Sequence, residues 1–350
     1  MTFSRVALQV FDAPPEVIAH GGALDAARRR FPNAPRPWID LSTGVSPFAY
    51  PLPAIAPEAW ARLPDADALV ALEAAAARAY RASPQAEIVA GAGTQVFIQT
   101  LPRLFPARRM ATLGFTYAEY AARWRMCGAR VSAVERLDEL AAADVAVVVN
   151  PNNPDGRVVA PDDLAALARA MAPRGGALIV DEAFCDFSPE LSVAPLAGGN
   201  LIVLRSFGKT YGLPGLRLGF ALCGAEIAAR LRAELGPWNV GGPALAIGAK
   251  ALSDSTWLDE SKQRLTDSAQ RLDALLIAAG FTIVGGTHLF RLARRADASQ
   301  WFERLGEAGI LTRRFPERAE WLRFGVPCAS DDWVRLARAL GRVLGVDADV

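Results

Sequence analysis

The sequence predicts an α/β protein with a mostly parallel central sheet, helices on both faces of that sheet, and a smaller α+β lobe towards the C-terminus. Three observations support this prediction. Short apolar runs alternate with alanine-rich helical patterns through the centre of the chain. Several of these runs, such as "DVAVVVN", are unbroken rather than alternating, which indicates strands covered on both faces. From about residue 280, strand-like segments follow one another closely, with two helices between and after them.

The strands of the central sheet are predicted at "EIVAGAG", "RRMATLG", "ARVSAV", "DVAVVVN", "GALIVDEAF", "NLIVLRS" and "LRLGFALC". Helical patterns separate most of them, for example "PDDLAALARAMA" and the amphipathic "TWLDESKQRLTDSAQRLDALLIAAG". Strands of the smaller lobe are predicted at "FTIVGG", "HLFRLA", "ILTRRF" and "WLRFGVP". We expect an N-terminal segment over 1–45 that contributes to the substrate site and the small lobe, a large domain over 46–255, and a small domain over 256–350.

The composition excludes several classes of function. The chain has 350 residues, 52% of them hydrophobic, and a net charge of +1. Nucleic acids and anionic membranes both favour a clustered basic excess, so neither is an expected partner. The pair Arg313-Arg314 is interpreted as a solvated face. The longest apolar runs fall short of the ~18 residues of a membrane span, and "MTFSRVALQVFDAPPEV" lacks a signal-peptide core, so we expect a cytoplasmic protein.

Cysteine and histidine are sparse. The 4 cysteines lie far apart in the sequence and form no C-x-x-C pair, which is typical of small buried hydrophobic side chains in a reducing compartment. The 2 histidines, His20 and His288, do not favour a histidine-based metal site.

In open α/β sheets, ligands bind beyond the carboxyl ends of the strands, so the residues after each strand are the candidate site. "GAGT" follows the first predicted strand, and Gly93 with Thr94 at a helix start suits a phosphate; the alternative is a plain turn with a threonine cap. Tyr117 follows the second strand and can cover a flat heterocycle or simply pack in the core.

Polar side chains also follow the next two apolar strands. Asn153 lies in "NPNNPDG", where it either helps to fix a turn or donates to a phenolate-like oxygen. Asp181 ends "LIVD", and a carboxylate in that place is costly to bury unless it meets a cation. A protonated ring nitrogen would serve, whereas the alternative is an exposed acid or a salt bridge.

"LRSFGKTYGLPGLRLGF" contains Lys209 between two turns rich in glycine. Its "GKT" fails as a phosphate-binding P-loop, because that motif needs glycine where this chain has Val203. We therefore interpret Lys209 as a Schiff-base lysine whose neutral amine attacks a carbonyl, with Ser206 and Arg217 holding a phosphate. A phosphate loop, a ring-stacking tyrosine, an oxygen donor, a ring-nitrogen acid and this lysine, in this order, predict a pyridoxal 5'-phosphate site.

Nearly the whole chain resembles the fold-type I pyridoxal-phosphate enzymes of the aspartate aminotransferase superfamily, in particular the histidinol-phosphate aminotransferase-like branch. "NPNNPDG", "DEAF", "SFGKTYGLPGLRLGF" and "PWNV" carry the resemblance. It implies that Lys209 binds the cofactor as an imine, that Asp181 pairs with the pyridine nitrogen and that Asn153 binds the phenolic oxygen. It also implies that the ring and its phosphate are contacted by Tyr117, Gly93, Thr94, Ser206 and Arg217.

The resemblance extends to substrate residues. Arg323, in "WLRFGV", lies where the superfamily has its substrate-carboxylate arginine, although a surface arginine on a strand is the alternative. "AHGGALDAARRRF" followed by "IDLSTG" is similar to the opening of the threonine-phosphate decarboxylases of the cobalamin pathway. This similarity implies that a phosphorylated amino acid is decarboxylated. Our hypothesis is that its phosphate is held by His20, Gly21, Gly22 and Arg157; the alternatives are that residues 20–22 only lead into a helix and that Arg157 faces solvent.

Three interpretations stay open at this point: the decarboxylase, a histidinol-phosphate or related aminotransferase, and a non-catalytic relative that binds a partner. Two departures from the superfamily matter. Phe184 stands where aminotransferases usually have a tyrosine, and Leu63 stands where relatives often have a tyrosine that reaches the neighbouring subunit's phosphate. The resemblance implies a homodimer with active sites near the interface, and Leu63 puts that one contact in doubt.

Overall fold

The structure is a computed structural model that describes residue 18 and residues 20–341. The prediction that no signal peptide opens the chain concerns residues 1–17, which lie outside the described residues.

Helices and strands alternate along the described chain, as the sequence predicts. The helices are α1 (Leu24–Arg30), α2 (Glu58–Ala61), α3 (Ala66–Ala79), α4 (Thr94–Leu104), α5 (Ala118–Met126), α6 (Pro161–Met171), α7 (Phe207–Thr210), α8 (Ala225–Leu235), α9 (Gly242–Leu252), α10 (Ser255–Ala278), α11 (Ala298–Glu307) and α12 (Ser330–Ala339). The strands are β1 (Ile39–Asp40), β2 (Glu87–Gly91), β3 (Arg109–Leu113), β4 (Arg130–Val134), β5 (Val145–Val149), β6 (Ala177–Asp181), β7 (Leu201–Ser206), β8 (Gly219–Cys223), β9 (Thr282–Thr287), β10 (Phe290–Arg294), β11 (Ile310–Leu311), β12 (Arg313–Arg314) and β13 (Trp321–Gly325).

A seven-stranded sheet in the order β2-β8-β7-β6-β5-β3-β4 forms the centre of the molecule. Neighbouring strands are parallel except at β8, which runs antiparallel to both β2 and β7. Successive residues of β5 pack into different cores: Ala146 and Val148 into one, Val147 and Val149 into the other. Both faces are therefore covered, which explains the unbroken apolar run, and the predicted mostly parallel sheet is confirmed.

A separate four-stranded antiparallel sheet, in the order β12-β13-β10-β9, follows in the C-terminal part. The long helix α10 lies against it. Leu265, Ala269, Leu272 and Leu276 are buried on α10, and their spacing of three and four residues places them on one helical face. The Asp254 side chain caps the start of α10 by accepting from the backbone N–H of Trp257 at 3.0 Å. A third core, around this sheet, joins α10, α11 and α12.

The N-terminal stretch is tied to the C-terminal part of the chain. β1 pairs in parallel with β11, so that Ile39 lies opposite Ile310. This pairing brings the residues before β1 and the strand β12 to the same side of the seven-stranded sheet, where the carboxyl ends of β5, β6 and β7 open. Between residues 20 and 341, no helix combines the length and the apolar character needed to cross a membrane.

Candidate active site

A cavity of about 610 Å³ lies beyond the carboxyl ends of β3, β5, β6 and β7. Residues from the N-terminal stretch and from the four-stranded sheet close its other side. The sequence-predicted residues that line it are His20, Gly21, Gly93, Thr94, Tyr117, Asn153, Asp181, Ser206, Lys209, Arg217 and Arg323. Residues far apart in the sequence therefore meet in one place, as the topology of a parallel sheet requires.

Lys209 lies on the short helix α7, directly after β7, and lines the cavity. Desolvation lowers the pKa of Lys209 to about 8, and the positive charges of Arg323 and Arg217 act in the same direction against the opposing effect of Asp181. The Nζ atom lies 5.5 Å from the centroid of the Phe184 ring. An amine with this pKa is partly neutral near physiological pH, which is the state in which it can attack a carbonyl.

Asp181 is the last residue of β6, and only 4% of its surface is exposed. Burial raises the pKa of Asp181, against hydrogen bonds from Tyr120 and Ala183 and the charge of Lys209. The Tyr120 hydroxyl donates to Oδ2 at 2.8 Å and the Ala183 N–H donates to Oδ1 at 3.0 Å. A buried carboxylate with two fixed donors is oriented, and a cation facing it would offset the cost of its charge.

Tyr120 was not predicted as a site residue. It is fully buried on α5, three positions after Tyr117, so the two rings lie on the same side of that helix, with centroids 6.3 Å apart. Tyr117 lines the cavity, and burial, followed by the charges of Glu119 and Asp181, raises its pKa to about 12. The Tyr117 hydroxyl therefore stays protonated, and its ring is available to cover a planar ligand.

The start of α4 has the features of an anion site. Gly93, at φ 82°, precedes the helix and provides no side-chain cap, so the first-turn N–H groups are open to a ligand. A Cβ at Gly93 would lie 2.6 Å from Arg217 Nη2, so only glycine allows the guanidinium to approach this turn. Arg217 adopts φ 52°, and its Nη1 donates to Pro214 O at 3.1 Å. A non-glycine residue in this conformation is strained, which is a common feature of functional sites.

Arg323, on β13, connects two parts of the molecule. Its Nη1 donates to Asn153 Oδ1 at 2.5 Å and its Nη2 donates to Ser42 O at 2.8 Å. Burial lowers its pKa to about 9, and the charge of Arg313 adds to that effect. Arg323 is 6% exposed, so the alternative of a surface arginine is wrong. Because Asn153 accepts through Oδ1, its amide N–H groups remain available to donate into the cavity.

The segment His20–Gly21–Gly22 is seated on Ser42. A Cβ at Gly21 would lie 2.3 Å from Ser42 O, so the backbone can pass there only at a glycine. The Gly22 N–H donates to Ser42 Oγ at 2.7 Å, and that hydroxyl donates to Asp40 Oδ1 at 2.5 Å. The "IDLS" signal in the sequence therefore corresponds to the seat of the N-terminal segment. Gly21 lines the cavity with His20, whereas Gly22 is not among the lining residues.

Arg157 is not among the residues that line the cavity, and its role in substrate binding stays a prediction. Its Nη2 donates to Leu113 O at 2.7 Å, and its own N–H donates to Asp155 Oδ1 at 3.0 Å. The turn after β5 directs the side chain back to the carboxyl end of β3, where a backbone carbonyl accepts it. Arg157 therefore connects the turn after β5 to the end of β3.

Arg313 was interpreted as part of a solvated face, but the structure places it at the cavity. It lies on β12 and lines the cavity, whereas Arg314 is exposed and lies 3.9 Å from Glu303 Oε1. The interpretation of both as a solvated face is therefore wrong for Arg313. The signal was present in the sequence, because neighbouring residues of a strand point to opposite sides and one arginine of such a pair faces inward.

Two departures noted in the sequence have clear positions. Phe184 lines the cavity and packs edge-on against Phe290, with centroids 5.0 Å apart. Leu63 lies outside the cavity and is 64% exposed. The cysteines divide as well: Cys185 and Cys223 are buried, but Cys127 and Cys328 are exposed, contrary to expectation.

A buried ionic cluster lies beneath the cavity, on the other face of the seven-stranded sheet. Arg205 immediately precedes Ser206 on β7, and its Nη1 donates to Glu182 Oε2 at 2.5 Å while its Nη2 donates to Asp186. Glu182 also accepts from Ser192 Oγ at 2.6 Å and from the Val193 N–H at 2.7 Å. This cluster, Arg205 with Glu182 and Asp186, fixes the ends of β6 and β7. It thereby fixes the cavity floor, which we define as Asp181 and Ser206 at the ends of these strands.

The aminotransferase class I and II family matches residues 36–340. A threonine-phosphate decarboxylase of Sinorhizobium sp. is 45% identical over 331 residues, which cover 93% of this chain and 98% of that protein. One of Pseudomonas aeruginosa is 42% identical and covers 93% of this chain and 97% of its own length. The structure of a histidinol-phosphate aminotransferase from Sinorhizobium meliloti, in complex with pyridoxal-5'-phosphate, has a TM-score of 0.77 at 21% identity and covers 96% of this chain and 98% of that chain.

The family match extends over most of the chain, and both relatives align almost from end to end. The likeness to the solved structure confirms the expected fold, fold type I with its mostly parallel central sheet. The chain belongs to the aminotransferase class I and II family.

Proposed function

We propose that this chain binds pyridoxal 5'-phosphate and decarboxylates L-threonine O-3-phosphate to (R)-1-aminopropan-2-yl phosphate, a reaction of the cobalamin pathway. The observation that carries the proposal is the distribution of cationic groups around one cavity. Arg217 and the start of α4 form one anion site, Arg323 a second, and His20 with Arg313 a third. Three sites fit the cofactor phosphate, the substrate carboxylate and the substrate phosphate. The two relatives named threonine-phosphate decarboxylase support the same conclusion.

The residues present fit the cofactor. Asp181 is a buried, oriented carboxylate that a protonated ring nitrogen would neutralise, and the amide N–H groups of Asn153 can donate to a phenolic oxygen. Tyr117 supplies a ring for stacking, and Lys209 supplies an amine for the carbonyl carbon. The cofactor phosphate would be held by Gly93, Thr94, Ser206 and Arg217. When bound, pyridoxal phosphate supplies an electron-accepting ring for the electron pair of a bond broken at Cα.

The side chains of this site then have distinct tasks. Asp181 holds a proton at the ring nitrogen, because its buried negative charge is stabilised by that positive partner. Lys209, with a pKa of about 8, can release and take up a proton near neutral pH. When carbon dioxide leaves, one proton must replace it at Cα, and Lys209 is positioned to deliver that proton.

Substrate orientation decides which bond at Cα is broken. Arg323 is fixed by Asn153 and Ser42, so it offers a rigid site for the substrate carboxylate. His20, the Gly21 backbone and Arg313 also line the cavity and would hold the phosphate. Anchoring both ends fixes the rotation about the Cα bonds, which is the variable that separates decarboxylation from transamination.

We also propose that the chain is a cytoplasmic homodimer. Large apolar side chains are exposed at Trp60 on α2, Leu63, Val70 on α3 and Trp238. Both α2 and α3 pack against α9, and Trp238 precedes that helix, so these side chains lie in one region of the surface. Exposed apolar regions of this kind fit a second copy of the chain. Sedimentation of the purified protein at about twice the chain mass of 37.3 kDa would support the dimer, and a monomer would contradict it.

One assay tests the reaction. The holoenzyme is mixed with L-threonine O-3-phosphate, and release of carbon dioxide and aminopropanol phosphate is measured. Conversion of histidinol phosphate with a keto acid acceptor would instead favour the aminotransferase. Absence of both reactions, together with no borohydride-stable label at Lys209, would favour the non-catalytic relative. A labelled Lys209 without turnover of threonine phosphate would overturn the proposed substrate but not the cofactor.

A further inference from the structure

Glu119 is a buried carboxylate that the proposed reaction does not use directly. It lies in the first turn of α5 and is 4% exposed. Three side chains meet it: Gln95 Nε2 donates to Oε2 at 2.9 Å, Arg123 Nε donates to Oε2 at 3.0 Å, and His20 Nε2 lies 3.0 Å from Oε1. Burial would raise the pKa of Glu119, but the hydrogen bonds from Arg123 and Gln95 and the charges of Arg123 and His20 lower it overall. Glu119 is therefore a fixed anion.

We propose that Glu119 is a positioning residue that selects phosphorylated substrates by holding the His20 imidazole at the cavity. This inference rests on the proposed function and adds a residue that contacts neither cofactor nor substrate. In this proposal, Oε1 of Glu119 binds His20, and Oε2 holds the Glu119 side chain to Gln95 and Arg123.

The geometry explains why His20 needs such a partner. The His20 side chain is 45% exposed, and residues 20–22 belong to no helix or strand. Its backbone is seated on Ser42 through Gly21 and Gly22, but that seat leaves the imidazole free to rotate. The contact with Glu119 is the second point of attachment and removes this freedom, so the ordering cost is met before the substrate arrives.

The same contact determines the chemistry that His20 offers. With Nε2 engaged by a carboxylate, the Nε2–H tautomer is favoured, and Nδ1 is the nitrogen that remains for a ligand. Around this pair lie Arg123 and Arg125 of α5, the Tyr117 ring at 6.1 Å from that of His20, and, among the residues lining the same cavity, Arg313 and Glu317.

The network also reaches the cofactor site. Gln95, which donates to Glu119, is the second residue of α4 and accepts from the Tyr117 hydroxyl at 3.5 Å. The carboxylate is thus anchored to the helix whose start forms the first anion site. A shift of the phosphate-binding His20 relative to that helix would require the Gln95 contact to break.

The test compares two ligands that differ only in a phosphate: (R)-1-aminopropan-2-yl phosphate and (R)-1-aminopropan-2-ol. Neither has a carboxylate to lose, so their dissociation constants from the holoenzyme can be measured by calorimetry without decarboxylation. Glu119→Gln is expected to weaken binding of the phosphate ester about tenfold and to leave the alcohol within about twofold, since one charge-assisted contact is lost.

Two further variants separate positioning from general stability. Arg123→Gln removes a partner from the other oxygen of the same carboxylate and should leave the ratio of the two dissociation constants near that of the wild type. His20→Gln should lower the ratio as Glu119→Gln does. In the double variant the effects should not add, because Glu119 acts through His20. Full additivity, or an equal loss in Arg123→Gln, would overturn the inference.

An independent measurement does not depend on the substrate. The chain has 2 histidines, so the imidazole nitrogens of His20 can be resolved by ¹H–¹⁵N NMR of the holoenzyme. The neutral ring should carry its proton on Nε2 in the wild type and lose that preference in Glu119→Gln; an unchanged tautomer would sink the positioning role. A wild type that does not distinguish the two ligands would overturn both the proposed substrate and the selectivity assigned to Glu119. A normal preference that Glu119→Gln leaves intact would overturn the inference alone.

Discussion

Two parts of the cavity differ in the backbone structure that supports their side chains. One part lies at the ends of β6 and β7, and the other is formed by residues 20–22 and β12. We call the first, with Asp181, Ser206 and Lys209, the sheet wall, and the second, with His20 and Arg313, the entry wall. The sheet wall extends from strands paired on both sides and buried on both faces. The entry wall stands on a segment of irregular backbone and on an edge strand.

This difference separates two tasks. Bond breaking at Cα needs groups that keep one geometry, and a central sheet provides it through backbone pairing. Choice of substrate needs groups that can change without damage to the core, and individual side-chain contacts such as Glu119 with His20 allow that. We expect substitutions in the sheet wall to affect the rate and substitutions in the entry wall to affect binding.

The largest effect is expected for Lys209→Ala. Decarboxylation should fall by roughly 10³-fold or more, because the amine is lost both as the attachment point and as the proton donor. Borohydride reduction followed by peptide mapping should find the label at residue 209 in the wild type and none in the variant. The preference for aminopropanol phosphate over aminopropanol should remain, since the entry wall is untouched; its loss would contradict the division into two walls.

The pH dependence of stability sharpens the same comparison. The folded apoenzyme releases the Lys209 proton with a pKa of about 8, whereas the ordinary value is 10.5. Between these values the unfolded chain binds more protons, so the free energy of unfolding should rise with pH by up to about 3 kcal/mol from this group. Urea unfolding of apoenzyme and of its Lys209→Met variant measures the difference, in which the other titrating groups cancel. Parallel pH profiles would show that Lys209 is not desolvated.

Arg313→Gln tests the entry wall. KM for threonine phosphate should rise about tenfold with little change in kcat, because a charged contact to the phosphate is lost while the sheet wall is intact. Arg314→Gln is the matched control, since its side chain points away from the cavity, and it should leave both parameters near the wild type. A fall in kcat at unchanged KM would instead indicate that Arg313 takes part in the bond-breaking step.

The smallest effect on activity is expected for Arg157→Gln. Because Arg157 donates to Leu113 O and does not line the cavity, KM and kcat should stay within about twofold. The free energy of unfolding should fall by about 1 kcal/mol through the lost hydrogen bond. A large rise in KM would indicate that Arg157 does bind the substrate.

The positions of Asp181 and Lys209 could be predicted because the topology of a parallel sheet places them. Each follows an apolar strand, and the carboxyl ends of neighbouring parallel strands meet. The entry wall has no comparable rule. Nothing in the local sequence marks Tyr120, Ser42 or Glu119 as a site residue. Only the tertiary fold brings them into contact with Asp181, Gly22 and His20, respectively.

The positions of Arg157 and Arg313 were difficult to predict for the same reason. A long side chain carries its charge far from its backbone, so its sequence position does not fix where that charge lies. Arg157 follows the predicted turn yet bends back to β3, and Arg313 belongs to an apparently solvated pair yet faces inward. For Arg313 the alternation of side chains along a strand was the available signal.

The ionic cluster beneath the cavity restricts how the cavity floor can evolve. Loss of Arg205 alone leaves the carboxylates of Glu182 and Asp186 in the interior without their counter-charge, at a cost of about 3–5 kcal/mol, comparable to the whole stability of many domains. We expect descendants of this sequence to keep Arg205 wherever they keep Glu182 or Asp186, or to replace all three residues together with an apolar set. The cost of burying a charge without its counter-charge, and not a role in the reaction, would then conserve these three positions over evolutionary time.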